Sequence, residues 1–109
     1  MRHDLKIYPI YPEFFNAILE GNKTFEVRQL KDDIFRKGDT LLLQEYIPQE
    51  KRFTGNTVTS LVKYVLPGGQ YGIEKGYCVM GIKVISNKRH APHPPAFRHG
   101  VRRIRIGNY

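Results

Sequence analysis

The chain has 109 residues, of which 40% are apolar and 12% aromatic, with a formal net charge of +8. This length predicts one ordinary domain. The single cysteine, Cys78, excludes an internal disulfide framework and a cysteine-rich zinc site. No secretory signal and no membrane-length apolar run is visible, so we expect a soluble, cytoplasmic protein that makes no membrane contact.

The positive charge is concentrated near the C-terminus. Residues 87–109 contain Lys and Arg side chains, three prolines and three histidines, but no Asp or Glu. We therefore predict a folded domain over residues 1–86, followed by a flexible, basic, Pro- and His-rich tail over residues 87–109. The arginines expected to contact a nucleic-acid backbone are Arg98, Arg102, Arg103 and Arg105. The alternative is a solvated tail that binds any anion weakly.

In chain order, the first predicted element is a strand over residues 4–8. A helix follows within residues 11–22, because Pro12 suits the first helical position and Gly21 suits a left-handed C-terminal cap. A second strand covers residues 23–28.

Gly38 and Asp39 predict a turn before a strand over residues 40–47. The next strand covers residues 57–66, after a hairpin connection closed by Gly55 and Asn56, and its alternation puts Tyr64 on the inward face. A glycine-rich loop leads to a last strand over residues 77–85. One helix and about five short strands predict a mainly β (α+β) fold, a small closed or nearly closed β-barrel with one flanking helix.

The segment GNKTFEVR, residues 21–28, carries three charged side chains, Lys23, Glu26 and Arg28. Two interpretations are open. They form either a solvated strand face with a weak ion pair or the polar floor of a binding site.

The pattern Gly-x-Lys-x-x-Glu-x-Arg in residues 21–28 resembles the signature of ASCH domains in the PUA-like superfamily. The stretches HDLKI, PEFF, LLLQEY and GGQYGIEKGYCVMGI resemble a subgroup of small bacterial and phage proteins of that class, over about residues 3–86. The resemblance implies a pseudo-β-barrel of five to six strands whose cleft, beside the helix, binds RNA or a nucleotide. We expect no cofactor and no metal, and the sequence identifies no protein partner.

In such a cleft, Glu26 would accept hydrogen bonds from an exocyclic amine of a base. Arg28 would either hold a phosphate or clamp Glu26, and Lys23 would be a mobile point charge at the cleft mouth. The further candidate ligand-binding residues are Glu45, Tyr46, Gln70 and Tyr71. For Glu45 the alternative is a solvent-facing side chain, and for Tyr71 it is a place in the core.

One branch of ASCH proteins hydrolyses N4-acetylcytidine with a Lys, a Thr and a distant Glu. The resemblance puts that lysine at Lys23, but its threonine at Glu26, and Thr24 lies one residue too early. Glu74 is the candidate for the distant glutamate by chain order. A small hydrolase that acts on a modified nucleoside or on RNA, with Lys23 and Glu26 in its active site, is therefore the alternative function.

Overall fold

The computed structural model describes residues 4–31 and 33–90. These residues form the elements β1 (Leu5–Ile10), α1 (Pro12–Leu19), β2 (Phe25–Gln29), β3 (Thr40–Ile47), β4 (Arg52–Pro67) and β5 (Tyr77–Lys88). The strands make one sheet in the order β1-β3-β4-β5-β2, in which β1 and β3 are parallel and the other pairs antiparallel. The sheet curls into a half-barrel, so the predicted mainly β class with one short flanking helix is confirmed.

Helix α1 begins and ends where the sequence predicts. Pro12 occupies the start of the helix and Glu13 lies in its first turn, where the helix dipole favours a carboxylate. Gly21, at φ 81°, follows the helix, and its backbone N–H donates to the carbonyl of Ile18 across 3.1 Å. The buried side chains of Phe15 and Ile18 fix the helix against the inner face of the sheet.

The core lies on the inner, concave face of the sheet. It contains aliphatic side chains from β3 and β4, sulfur-containing side chains from β5, and Phe15 and Ile18 from α1. Its fully buried strand residues are Leu41, Leu43, Val58, Val62, Cys78 and Met80. Their spacing of two residues is that of strands with one buried face.

The predicted turn at Gly38 and Asp39 is confirmed, and it precedes β3 at the point where β3 starts beside β1. Gly38 has φ 98°, a conformation that glycine adopts without strain. The buried carboxylate of Asp39 accepts hydrogen bonds from the backbone N–H groups of Asp4, at 3.0 Å, and Arg36, at 2.9 Å. Asp39 therefore holds the start of β3 beside the start of β1.

Strand β4 begins five residues earlier than predicted, and Gly55 and Asn56 lie within it rather than in a hairpin turn. The reason is non-local. The Asn56 side chain donates to Glu45 Oε1 on β3, at 3.0 Å, and accepts from the backbone N–H of His90, at 2.6 Å. The connection is instead a tight turn over residues 48–51, which ends at Lys51 with φ 52°.

Tyr64 points outward, so its predicted inward position is wrong. The register between β4 and β5 shifts between Val62 and Tyr64, where Val62 pairs with Ile82 and Tyr64 with Gly81. Lys63 is the extra residue of this β-bulge, which reverses the alternation. Tyr64 is consequently 66% exposed.

Strand β5 continues to Lys88, which is past the boundary predicted between domain and tail. The four tail arginines predicted to contact nucleic acid lie outside the described residues. Among the residues that are described, no helix is long and apolar enough to span a membrane.

Candidate ligand-binding site

Strand β2 places its charged residues inside and its first apolar residue outside. Glu26 and Arg28 are fully buried, whereas Phe25 is 44% exposed. The side chains of Glu26 and Arg28 point to one face of β2 and that of Phe25 to the other, as the alternation predicts. An alternating sequence does not by itself say which of the two faces is buried. The alternative of a solvated charged face is therefore wrong for this strand.

Lys23, Glu26 and Arg28 converge into one hydrogen-bonded group, which we call the charged triad. Glu26 Oε1 accepts from Arg28 Nε at 3.1 Å and from Nη2 at 2.8 Å. Glu26 Oε2 accepts from the Lys23 ammonium, whose Nζ also donates to the carbonyl of Phe25 at 2.7 Å. Of the two roles expected for Arg28, the structure shows the clamp on Glu26.

Arg28 also reaches across the open side of the sheet. Its Nη2 donates to the carbonyl of Pro9 on β1 at 3.3 Å, and its Cζ lies 4.7 Å from the ring centroid of Tyr8. The Tyr8 hydroxyl in turn bonds the carboxylate of Asp33. Burial lowers the pKa of Arg28, while the charge of Glu26 and its hydrogen bond act in the opposite direction. A buried guanidinium of this kind stays charged because its carboxylate partner is buried with it.

Lys23 is held in place, so the expectation of a mobile charge is wrong. Its side chain is only 11% exposed. Its Nζ lies 4.9 Å from the ring centroid of Phe25 and 5.6 Å from that of Phe14. Two of its three ammonium protons are committed to Glu26 and the Phe25 carbonyl, which leaves one for an external acceptor.

Lys23 lines a cavity between the end of α1 and strand β5. The cavity has a volume of about 350 Å³. Its lining residues are Ile18, Leu19, Gly21, Lys23, Thr24, Ile82, Lys83, Val84 and Asn87. This lining combines an apolar wall with two cations and contains no carboxylate, so its chemistry suits an anionic ligand that has an apolar part.

Glu45 is buried, so the alternative that it faces water is wrong. Its Oε1 accepts from Thr54 Oγ1 at 2.9 Å and from Asn56 Nδ2 at 3.0 Å. Tyr46 is half-buried and packs edge-on against Phe53, with 4.8 Å between ring centroids. These contacts fix both residues in the β3–β4 hairpin.

Gln70 and Tyr71 lie in the loop between β4 and β5, away from Lys23. The Leu30 N–H, just after β2, bonds the Gly76 carbonyl at 2.7 Å, so this loop adjoins the far end of β2. Lys23 precedes the near end, about 15 Å away along the strand. Gln70 donates to the Pro67 carbonyl at 2.8 Å, and Tyr71 is 86% exposed, so its alternative place in the core is wrong.

Sequence reasoning missed Lys83 and Asn87, which line the cavity from β5. In the sequence, Lys83 is a single charged residue between Ile82 and Val84, which is a weak signal for a site. It becomes a candidate only because α1 lies beside this part of β5.

Cys78 pairs with Arg28 in the register of β5 and β2, and burial raises the pKa of its thiol. Within the described ranges, no three His, Cys, Asp or Glu side chains gather where they would hold a metal ion.

These features define a small curled half-barrel in which a buried charged triad adjoins a cationic cavity. A family model described as a domain of unknown function (DUF3850) matches residues 2–82, and the chain therefore belongs to that family. No curated protein matches the chain significantly.

Proposed function

We propose that the protein binds RNA or a nucleotide in the cavity beside α1, as its resemblance to ASCH domains implies. The observation that carries the proposal is the position of Lys23, which belongs both to the buried charged triad and to the wall of the cavity. The triad fixes this ammonium before any ligand arrives, and a prearranged donor loses little conformational entropy on binding.

The composition of the cavity supports the same proposal. Its volume of about 350 Å³ is within the range of small-molecule sites, about 300 to 1,000 Å³. Ile82 and Val84 are apolar surfaces for the flat face of a base. Lys23 and Lys83 are donors for phosphate, and Asn87 is a donor and acceptor for a base edge.

The contacts of Lys23 support binding rather than hydrolysis. A nucleophilic lysine must be a neutral amine, whereas the Lys23 nitrogen donates to Glu26 and to a backbone carbonyl. The other two residues considered for amidohydrolysis, Thr24 and Glu74, are exposed. Glu74 belongs to the loop at the far end of β2, so no common centre unites it with Lys23.

The proposal is tested by titrating the full chain with uridine monophosphate and with fluorescently labelled hexauridylate. Lys83→Ala removes one phosphate donor, so we expect both affinities to fall about tenfold, as for a charge-assisted hydrogen bond. Lys37→Ala is the matched control, because Lys37 is an exposed lysine in the loop before β3 and does not line the cavity. It should leave both affinities unchanged.

Two results would contradict the proposal. One is the absence of binding of either probe to the wild-type chain at low salt. The other is conversion of N4-acetylcytidine to cytidine by the pure protein, abolished by Lys23→Ala, which would identify a hydrolase instead.

A further inference from the structure

The outer, convex face of the sheet carries a row of aromatic–glycine–aromatic residues across three adjacent strands. Gly81 on β5 pairs with Phe25 on β2 and with Tyr64 on β4. Directly paired residues share a face of a sheet, so the two rings lie on either side of a position that has no side chain. Phe25 is 44% exposed and Tyr64 is 66% exposed.

The space above Gly81 is open. A Cβ atom built on Gly81 would meet no atom within 4 Å. Phe25 and Tyr64 are two strands apart, which corresponds to about 10 Å. A planar ring in van der Waals contact with a group on each side needs about 7 Å. The row therefore forms a slot, the Phe25–Gly81–Tyr64 slot, wide enough for one flat aromatic ligand.

The β-bulge at Lys63 is what opens this slot. Without the bulge, regular alternation after Val62 would pair Lys63 with Gly81 on the outer face and would turn Tyr64 into the core. This bulge exposes the ring of Tyr64 to water beside a glycine. The fold therefore buries less apolar surface than a regular strand would. Bulges of this kind re-aim side chains near binding sites.

The slot adjoins the cavity of the proposed function. Thr24 and Ile82 line that cavity, and each is next in sequence to a residue of the slot, Phe25 or Gly81. Lys23 connects the two, because its ammonium lies 4.9 Å from the Phe25 ring centroid. A ligand that fills both would extend over the edge of the sheet from the cavity to its outer face.

The charge around the slot favours a polyanion. Two exposed cations lie near it, Lys63 next to Tyr64 on β4 and Lys83 two residues after Gly81 on β5, and neither strand contains Asp or Glu. The only carboxylate on β2 is that of Glu26, which is buried in the charged triad. Exposed aromatic rings among cations with no exposed carboxylate are the combination by which proteins bind single strands of nucleic acid.

We propose that the Phe25–Gly81–Tyr64 slot stacks an unpaired base of single-stranded RNA, next to a nucleotide held in the cavity. This inference rests on the proposed function and deepens it. The ligand is a chain of at least two nucleotides, and a free mononucleotide fills only the cavity. Stacking accepts any base, so this part of the site adds affinity with little sequence preference.

Gly81→Val tests the inference most directly, because it fills the slot without removing any side chain. The added Cβ meets no neighbour, and valine favours a strand more than glycine does, so the variant should fold. We expect its affinity for hexauridylate to fall at least about tenfold, as for loss of one stacked base, while its affinity for uridine monophosphate stays unchanged.

Two ring truncations, Phe25→Ala and Tyr64→Ala, should each weaken hexauridylate binding about tenfold. Ile7→Ala is their matched control, because Ile7 is an exposed apolar residue, 53% exposed, on the outer face at β1. It should leave binding unchanged. The chain has no tryptophan, so Phe25→Trp introduces a single indole whose fluorescence a stacked base should quench when hexauridylate is added.

The possible results separate the two proposals. If neither hexauridylate nor uridine monophosphate binds the wild-type chain, both are wrong. If both bind and Gly81→Val leaves hexauridylate affinity unchanged, the slot proposal alone is wrong. It is also wrong if Gly81→Val changes only the oligomeric state in sedimentation analysis, since the slot would then contact a second copy of the chain.

Discussion

Arg28 on β2 donates a hydrogen bond to the carbonyl oxygen of Pro9 on β1, although these two strands are the opposite edges of the sheet. No backbone pairing between β1 and β2 appears among the described strands. The guanidinium, itself clamped by Glu26, thus spans the gap that a full barrel would close with a ladder of backbone hydrogen bonds.

The first prediction concerns Arg28→Met. Methionine donates no hydrogen bond, so Glu26 keeps only Lys23 as a cationic partner among the described residues. The hydrogen bond to the Pro9 carbonyl on β1 is lost as well. Breaking a buried ion pair by removing one partner costs about 3 to 5 kcal/mol, so we expect a loss of that size in the free energy of unfolding, measured by urea denaturation. Arg52→Met is the control, because the exposed Arg52–Glu50 pair at 2.6 Å should contribute only about 0 to 1 kcal/mol. Equal losses in the two variants would contradict the role assigned to Arg28.

A second prediction follows from Cys78, whose thiol pKa is raised by burial. Because the folded-state pKa lies above that of the unfolded chain, the protonated thiol is favoured by folding. Its contribution to stability is complete below an unfolded pKa of about 8.5 and disappears as the pH rises through the folded-state value.

The measurement compares the wild-type chain with Cys78→Ala from about pH 7 to about pH 10. The alanine variant should be less stable at neutral pH because it leaves a cavity, and the difference should shrink as the pH rises. The other titrating groups are common to both chains and cancel. A difference that is constant with pH would contradict the prediction.

Tyr71 carries the third prediction. It has φ 52° and is 86% exposed, so its left-handed backbone is not offset by burial of the ring. A left-handed conformation costs an L-residue about 1 to 2 kcal/mol, and Tyr71→Gly should therefore raise the free energy of unfolding by about 1 kcal/mol. Glu74→Gly, in the same loop but without a positive φ, should lower it. If Tyr71→Gly also weakens hexauridylate binding, Tyr71 contacts the ligand as the sequence predicts.

The fourth prediction concerns the basic tail, whose arginines contribute charge whatever their conformation. Truncation after His90 keeps the bond between the His90 N–H and Asn56 and removes Arg98, Arg102, Arg103 and Arg105. Each phosphate contact adds about 0.9 to the slope of log affinity against log salt for duplex and about 0.7 for single strands. The truncated chain should bind every RNA sequence more weakly and with a shallower salt dependence. An unchanged slope would mean that the tail is only a solvated extension.

Local signals were enough to predict the order of the elements. Pro12 and Gly21 delimit α1, and the predicted bounds of residues 40–47 agree with those of β3. The prediction failed at Gly55 and Asn56 because the partners that hold Asn56 in a strand are Glu45 and His90, which are distant in sequence. It failed at Tyr64 because nothing in the local pattern signals the bulge.

Some features of the candidate site were likewise predictable from the sequence, and others were not. Lys23, Glu26 and Arg28 were predictable as a group, since their spacing brings them together on or beside one strand. Their burial was not predictable, because it depends on the partner that Arg28 finds on β1. Gly81 became a candidate only through its register with β2 and β4, and Lys83 only through the position of α1 beside β5.

The ammonium group of Lys23 touches the Phe25 ring on one side and the carboxylate of Glu26 on the other. A molecule that stacks on Phe25 is thus connected through Phe25, Lys23 and Glu26 to Arg28, which links the two edge strands of the sheet. A ligand bound on the outer face of the sheet would therefore affect the charged triad on the inner face through the Nζ atom of Lys23. Protection of the β1 and β2 amides from hydrogen exchange would then report what is attached to the opposite side of the sheet.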